Sequence, residues 1–175
     1  MIENWDDAFE HVIKSEGGFV NHPKDPGGMT NLGVTKAAWE EHVGHKVDEA
    51  AMRALTPSTV KSFYKKRYWD AVKGDELPSG VDYAVFDLAV NSGPGRAAKF
   101  LQKAAGVTAD GNIGPQTLAK VKGMDAAALV DVICAIRLEF LQSLPTFATF
   151  GKGWSRRVQE VANVASLMTT TKTFA

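Results

Sequence analysis

Two carboxylates and a hydroxyl lie close together near the start of the sequence, at Glu16, Asp25 and Thr30. Glu16 stands directly before Gly17-Gly18, and paired glycines are typical of the end of a helix. A carboxylate at that end meets the negative pole of the helix dipole, and burial against aromatic rings would disfavour its charge further. Both effects raise the pKa of a carboxyl group, as a general acid requires near neutral pH.

Asp25 and Thr30 belong to a loop rich in glycine, proline and asparagine, which follows Glu16 and can fold back over the helix end. One carboxyl group kept protonated and a second kept ionised is the arrangement that glycoside hydrolysis uses. The ordinary alternatives are an exposed carboxylate for Glu16 and a turn-forming aspartate before Pro26 for Asp25. Acidic residues are common in loops, so the spacing alone favours these alternatives.

The string EGGFVNHPKDPGGMTNLGVT, which begins at Glu16, resembles the N-terminal signature of glycoside hydrolase family 108, the N-acetylmuramidases of phage endolysins and bacterial relatives. The later segment FDLAVNSGPGRAAKFLQKAAGVTADGNIGPQTL resembles the C-terminal half of that family, a predicted peptidoglycan-binding region. GWSRRV, which begins at Gly153, resembles its closing motif. The similarity extends from about residue 8 to about residue 160.

The resemblance implies a lysozyme-like α-helical fold and cleavage of the β-1,4 bond between N-acetylmuramic acid and N-acetylglucosamine. It implies that Glu16 is the essential acid. Phage-type lysozymes of a related fold use a Glu, an Asp and a Thr in this order; Glu16 and Asp25 match their spacing, and Thr30 comes one residue sooner. By this comparison Asp25 positions a water molecule or stabilises positive charge, and Thr30 assists. The alternatives are a lytic transglycosylase and a non-catalytic wall-binding or secretion-accessory protein.

Four further residues are candidates for substrate binding: Asp87, Asn91, Tyr68 and Trp69. Asp87 and Asn91 are one helical turn apart, so both can face one cleft. Asn91 also precedes the helix-breaking stretch SGPG, and a C-terminal helix cap is its alternative role. Tyr68 and Trp69 can stack on sugar rings, although aromatic residues at helical spacing more often belong to the core.

The composition indicates an ordinary globular chain of 175 residues, 45% hydrophobic and 23% charged. Helical signals dominate, and the only strand-like stretch is the loop 19–35, so the predicted fold is mainly α, a lysozyme-like helical fold with a small hairpin after the first helix. We expect a catalytic lobe over 1–92 and a helical peptidoglycan-binding lobe over 93–175, packed together as one compact unit. The expected partner is the peptidoglycan glycan strand.

Helix starts are predicted at three capping residues, Thr35, Asp48 and Thr56, the last of which precedes Pro57. Two long helices are expected over roughly 125–144 and 153–168.

The sequence predicts no cofactor and no metal site, because the four histidines are not clustered with cysteine or acidic residues at ligand spacing. The formal net charge of zero gives no overall attraction to nucleic acid. The one cysteine, Cys134, lies in an apolar run and is interpreted as a buried core thiol.

No stretch reaches membrane-spanning length. Glu3, Asp6 and Asp7 stand where a signal peptide would carry positive charge. We therefore expect a monomer that is made in the cytoplasm without a signal peptide and acts on the cell wall after release by another route.

Overall fold

The computed structural model describes residues 4–21 and 28–171. In these ranges the chain is mainly α-helical, as the sequence predicts, and its only strands form a small sheet after the first helix. The helices are α1 (Trp5–Ile13), α2 (Lys36–Val43), α3 (Glu49–Arg53), α4 (Pro57–Tyr64), α5 (Val81–Ser92), α6 (Pro94–Ala105), α7 (Pro115–Lys122), α8 (Ala126–Gln142) and α9 (Phe147–Thr171). A π-helical turn covers Lys65–Trp69, and a 3₁₀ turn covers Gly74–Glu76.

The sheet has three short antiparallel strands, β1 (Val20–Asn21), β2 (Met29–Asn31) and β3 (Val34–Thr35), in that order. Leu32 and Gly33 join β2 to β3, and both have positive φ angles, 52° and 75°. Positive φ at both central residues is typical of a tight hairpin turn. The predicted hairpin is therefore confirmed.

The three predicted helix starts are confirmed by their capping hydrogen bonds. The side chains of Thr35, Asp48 and Thr56 each accept a hydrogen bond from the backbone N–H three residues further along, at 3.1, 2.8 and 3.2 Å. Pro57 occupies the first turn of α4. These starts are local in origin, since a hydroxyl or carboxylate satisfies a helix-end N–H without help from distant residues.

Two helix boundaries differ from the sequence prediction. α1 ends at Ile13, so Glu16 lies beyond the helix instead of in its last turn. α9 begins at Phe147, well before the expected residue 153, and runs through Gly151 and Gly153. A Cβ at Gly151 would lie 2.8 Å from the ring of Phe147, so this glycine makes room for a packed ring and does not end the helix.

The described residues divide into two compact units. The N-terminal unit comprises Asp6–Arg67, and the C-terminal unit comprises the described residues of 1–5 and 68–175. The core of the N-terminal unit is aromatic: Tyr64 packs edge-on against Phe9 and Phe63, with ring centroids 5.6 and 5.7 Å apart.

α5 is the central helix of the C-terminal unit. It contacts α6, α8 and α9, and every residue from Val81 to Ala89 is buried. A helix that is covered on all sides must be apolar on all sides. The sequence of α5 accordingly has only two charged residues, Asp82 and Asp87, and both are buried.

None of the helices within 4–21 and 28–171 combines the length and the apolar character that crossing a bilayer requires.

Candidate active site

The carboxyl group of Glu16 lies against the tip of the β2–β3 hairpin in the N-terminal unit. Leu32, in the turn of the hairpin, donates its backbone N–H to the carbonyl of Gly17 at 2.9 Å. This hydrogen bond holds the turn beside Gly17, the residue that directly follows Glu16. A Cβ at Gly33 would stand 2.5 Å from Oε2 of Glu16 and 2.6 Å from the hydroxyl oxygen of Tyr64. The absence of a side chain at Gly33 therefore leaves the space that both oxygen atoms use.

Tyr64 connects this hairpin to α4. Its hydroxyl donates to the carbonyl of Leu32 at 2.6 Å, and its ring is buried. The hydroxyl oxygen also lies close to the carboxyl group of Glu16, because both approach the same point beside Gly33. A buried ring that is hydrogen-bonded to the hairpin holds its oxygen in a defined position near Glu16.

Neither Gly33 nor Tyr64 was identified from the sequence as a residue that positions Glu16. Gly33 begins the motif GVT, and the sequence indicates only that a turn could require glycine there. Tyr64 lies far from Glu16 in the sequence, and its helical spacing indicates a core residue, which it also is. Only the fold brings its hydroxyl near the carboxyl group of Glu16.

Of the other two predicted catalytic residues, the structure describes Thr30 but not Asp25. Thr30 is half-buried in β2, where it pairs with Val20 of β1 and Thr35 of β3. Its strand leads into the hairpin tip that contacts Glu16. Asp25 lies outside the described residues, and its role stays a prediction.

Asp87 is fully buried in the C-terminal unit, contrary to the prediction that it faces a sugar cleft. Its Oδ2 accepts a hydrogen bond from Nη1 of Arg137 at 2.6 Å. Its Oδ1 accepts from Nε of Arg157 at 3.1 Å and from Nη2 of the same residue. Both carboxylate oxygens are thus occupied by arginines of α8 and α9, and the side chain offers no surface to a glycan.

Trp69 is also fully buried, which does not agree with stacking on a sugar ring. It packs against Trp5 and Phe86, with ring centroids 5.4 and 5.6 Å away, and its Nε1 donates to Asp75 at 2.7 Å. Gly74 contacts the same indole so closely that a Cβ would collide with it. Trp69 is a core residue because tertiary packing encloses it on all sides.

Tyr68 and Asn91 keep surface available to a ligand. Tyr68 is half-buried, and Asn91 is exposed in the last turn of α5. The C-cap of α5 is Gly93, whose N–H bonds to the carbonyl of Ala89, so the capping role considered for Asn91 is wrong. Both residues belong to the C-terminal unit, whereas Glu16 and Thr30 belong to the N-terminal unit.

Within the described part of the chain, no group of three or more histidine, cysteine or acidic side chains could hold a metal ion.

Comparisons with known proteins agree with the family resemblance found in the sequence. Residues 9–93 match the family model "Glycosyl hydrolase 108", and residues 96–159 match the model "Predicted Peptidoglycan domain". The chain is similar to SagA of Brucella abortus, a solved structure, with 46% sequence identity and a TM-score of 0.86 over 97% of this chain and 98% of that one. The comparison with curated proteins found no match. The chain is thus a glycoside hydrolase that acts on peptidoglycan, and it belongs to the glycosyl hydrolase 108 family.

Proposed function

We propose that this enzyme is an N-acetylmuramidase that cleaves the β-1,4 bond between N-acetylmuramic acid and N-acetylglucosamine, with Glu16 as the general acid. The observation that carries the proposal is the position of the Glu16 carboxyl group, next to the hydroxyl of Tyr64 in the space left open at Gly33. A general acid must be positioned by the groups around it, and the Tyr64 hydroxyl, fixed by its bond to the carbonyl of Leu32, lies near the Glu16 carboxyl group.

The hydrogen bonding of Tyr64 suits a protonated carboxyl group. Tyrosine has a single hydroxyl proton, and Tyr64 directs it to the carbonyl of Leu32. Its oxygen keeps lone pairs that can accept a hydrogen bond. A protonated carboxyl group can donate to those lone pairs, whereas an ionised one cannot. A hydrogen bond from Glu16 to this oxygen requires the protonated carboxyl group, which is the form that can give up a proton to the leaving glycosidic oxygen.

In the proposed reaction Glu16 protonates the glycosidic oxygen as positive charge develops at the anomeric carbon. A water molecule then completes hydrolysis. We propose that Asp25 orders this water or stabilises the developing charge and that Thr30 assists, as the lysozyme-like order of the three residues implies. Tyr68 and Asn91 remain proposed substrate contacts on the C-terminal unit.

A turbidity assay on permeabilised Gram-negative cell walls tests the role of Glu16. Glu16→Gln keeps the size of the side chain but removes the transferable proton, so turnover should fall by about 100- to 10,000-fold. Glu10→Gln is a matched control, since Glu10 is an exposed glutamate of α1. Near-normal clearing by the Glu16→Gln enzyme would show that another residue is the acid.

The products of digestion test the bond and the reaction type. Muramidase hydrolysis leaves N-acetylmuramic acid at new reducing ends, and mass spectrometry detects these directly. Anhydro-muramyl products would instead indicate a lytic transglycosylase, in which the sugar attacks itself and water is not used. Reducing N-acetylglucosamine ends would show that the other glycosidic bond is cut.

We also propose a role in bacterial cell lysis or wall remodelling, with access to the wall gained through a separate release route. Added enzyme should then clear permeabilised cells and leave intact ones unaffected. Clearing of intact cells by the purified enzyme would contradict the proposed need for another route.

A further inference from the structure

A cavity of about 250 Å³ opens on the N-terminal unit between α2 and the end of α4. A water molecule occupies about 30 Å³ in the liquid, so the cavity has room for a group of several heavy atoms. None of its lining residues belongs to the predicted catalytic set. They are Ala38, Glu41, His42, Phe63, Lys66 and Arg67.

Phe63 gives the cavity an aromatic wall. Its ring is almost fully buried, and the imidazole of His42 meets it edge-on with ring centroids 5.5 Å apart. The guanidinium carbon of Arg67 lies 5.5 Å from the centroid of the same ring. The ring has almost no surface of its own left for a ligand, and it supports the His42 and Arg67 side chains that border the cavity.

The cations at the rim are only loosely neutralised. Nη1 of Arg67 lies 3.9 Å from Oε2 of Glu41, and the two side chains are 45% and 81% exposed. An exposed pair at this distance contributes little, so an incoming anion can replace it. Lys66 has no ion-pair partner among residues 4–21 and 28–171. The cavity therefore has two cationic groups and one displaceable carboxylate.

Both cations come from the π-helical turn Lys65–Trp69. π-helical turns are rare and occur frequently at functional sites. The planar guanidinium of Arg67 matches the geometry of a carboxylate, and Lys66 adds a point charge beside it. The chemistry of the site thus fits a carboxylate.

We propose that this cavity is a second substrate subsite, which binds the carboxylate of a peptidoglycan stem peptide through Lys66 and Arg67. The choice of ligand rests on the proposed function, because stem peptides and the lactyl groups of muramic acid are the carboxylates that a peptidoglycan strand supplies. The stem peptide is preferred because the lactyl carboxyl group of an intact strand forms the amide bond to the peptide, so the free carboxylates of that strand belong to the peptide. The subsite aligns the strand on the N-terminal unit and takes no part in the chemical step.

Calorimetric titration with muramyl dipeptide, N-acetylmuramic acid and N-acetylglucosamine tests the ligand. The wild type should bind the dipeptide, and the variant K66Q/R67Q should bind it with a dissociation constant that is higher by about tenfold or more. Glu41→Gln should strengthen binding by about two- to fivefold, since it removes the carboxylate that competes for Arg67. Lys152→Gln, which changes an exposed lysine of the C-terminal unit, is the control and should bind normally.

K66Q/R67Q should weaken dipeptide binding and Glu41→Gln should strengthen it. A purely structural role for these side chains would not produce opposite effects on affinity. All the altered side chains are exposed, and thermal melts should match the wild type. A K66Q/R67Q protein with wild-type affinity for the dipeptide, or weaker binding by Glu41→Gln, would overturn the proposal. Equal affinity for N-acetylmuramic acid and the dipeptide would overturn the assignment to the stem peptide.

Activity on two substrates distinguishes this proposal from the one for Glu16. K66Q/R67Q should raise KM on intact strands and leave kcat unchanged, with no change on strands whose stem peptides have been removed by an amidase. Glu16→Gln should lose turnover on both substrates but bind the dipeptide as the wild type does. An equal rise in KM on both kinds of strand would contradict the subsite.

Discussion

Gly33 and Glu16 lie so close together that a side chain at position 33 would displace the carboxyl group of Glu16. An added Cβ would stand 2.5 Å from Oε2 of Glu16, at a backbone φ of 75° that favours glycine independently of the contact. Gly33 thus allows the hairpin turn and also leaves the space in which the carboxyl group of Glu16, the proposed acid, lies. The proposed role of Glu16 therefore depends on a glycine that has no functional group of its own.

Gly33→Ala should therefore lower kcat by more than its effect on stability explains. The new methyl group displaces the Glu16 carboxyl or the Tyr64 hydroxyl, and misplacing a catalytic group by about 1 Å costs up to about 100-fold in rate. Gly44→Ala is the matched control: Gly44 also has a left-handed φ, 81°, but its Cβ would meet no atom within 4 Å. Equal kcat losses in the two variants, measured beside their melting curves, would show that Gly33 acts through the backbone alone.

Tyr64→Phe should separate the hairpin hydrogen bond from general packing. The variant keeps the buried ring but loses the donor to the Leu32 carbonyl, at a cost of about 1 kcal/mol in the free energy of unfolding. It also removes the oxygen that we propose accepts a hydrogen bond from protonated Glu16. We expect a lower kcat and a basic limb of the pH–rate profile that moves to lower pH. An unchanged profile would exclude Tyr64 as a positioning residue for the acid.

Asp87→Asn should destabilise the C-terminal unit strongly. Asp87 is fully buried, the Arg137 side chain is 3% exposed, and the neutral amide would leave the Arg137 guanidinium group without its counter-charge. Breaking a buried ion pair in this way typically costs about 3–5 kcal/mol. Denaturant unfolding measures the loss, with the exposed Asp131→Asn as control. A stably folded Asp87→Asn protein that loses only substrate binding would instead restore Asp87 to the sugar site.

Cys134 should be unreactive in the folded protein. Burial raises the pKa of its thiol from 9.0 to about 11, so the thiol stays protonated near neutral pH and alkylation by iodoacetamide should be slow until the chain unfolds. The unfolded chain ionises this thiol first as the pH rises. The stabilising contribution is therefore complete below pH 9.0 and is lost between pH 9.0 and about 11. Cys134→Ala should remove this part of the pH dependence and leave turnover nearly unchanged.

The sequence predicts the features that depend on neighbouring residues. The helix starts at Thr35, Asp48 and Thr56 follow from local hydrogen bonds, and the hairpin follows from the glycine-rich loop. Two helix boundaries were wrong, the end of α1 and the start of α9, and packing accounts for the second. α9 continues through Gly151, for example, because the ring of Phe147 fills the space beside it.

The candidate site was predictable only in part for the same reason. The motif around Glu16 identifies a candidate acid, but Tyr64 reaches it from another helix, and no periodicity in the sequence indicates that contact. Asp87 and Trp69 have the residue types that bind sugars, and their spacing cannot show that tertiary packing buries them. Burial of a single polar or aromatic side chain is decided by what surrounds it on all sides.

The ion pairs of Asp87 also bear on how this enzyme can change by recombination. Asp87 lies in α5, inside the segment that matches the glycosyl hydrolase model, while Arg137 and Arg157 lie in the segment that matches the peptidoglycan model. A gene exchange at the boundary between the two segments would separate Asp87 from Arg137 and Arg157. The buried charges of Asp87 and Arg137 would then lack their counter-charges. The two halves therefore do not behave as interchangeable modules, and a replacement for the second must bring its own arginines at matching positions.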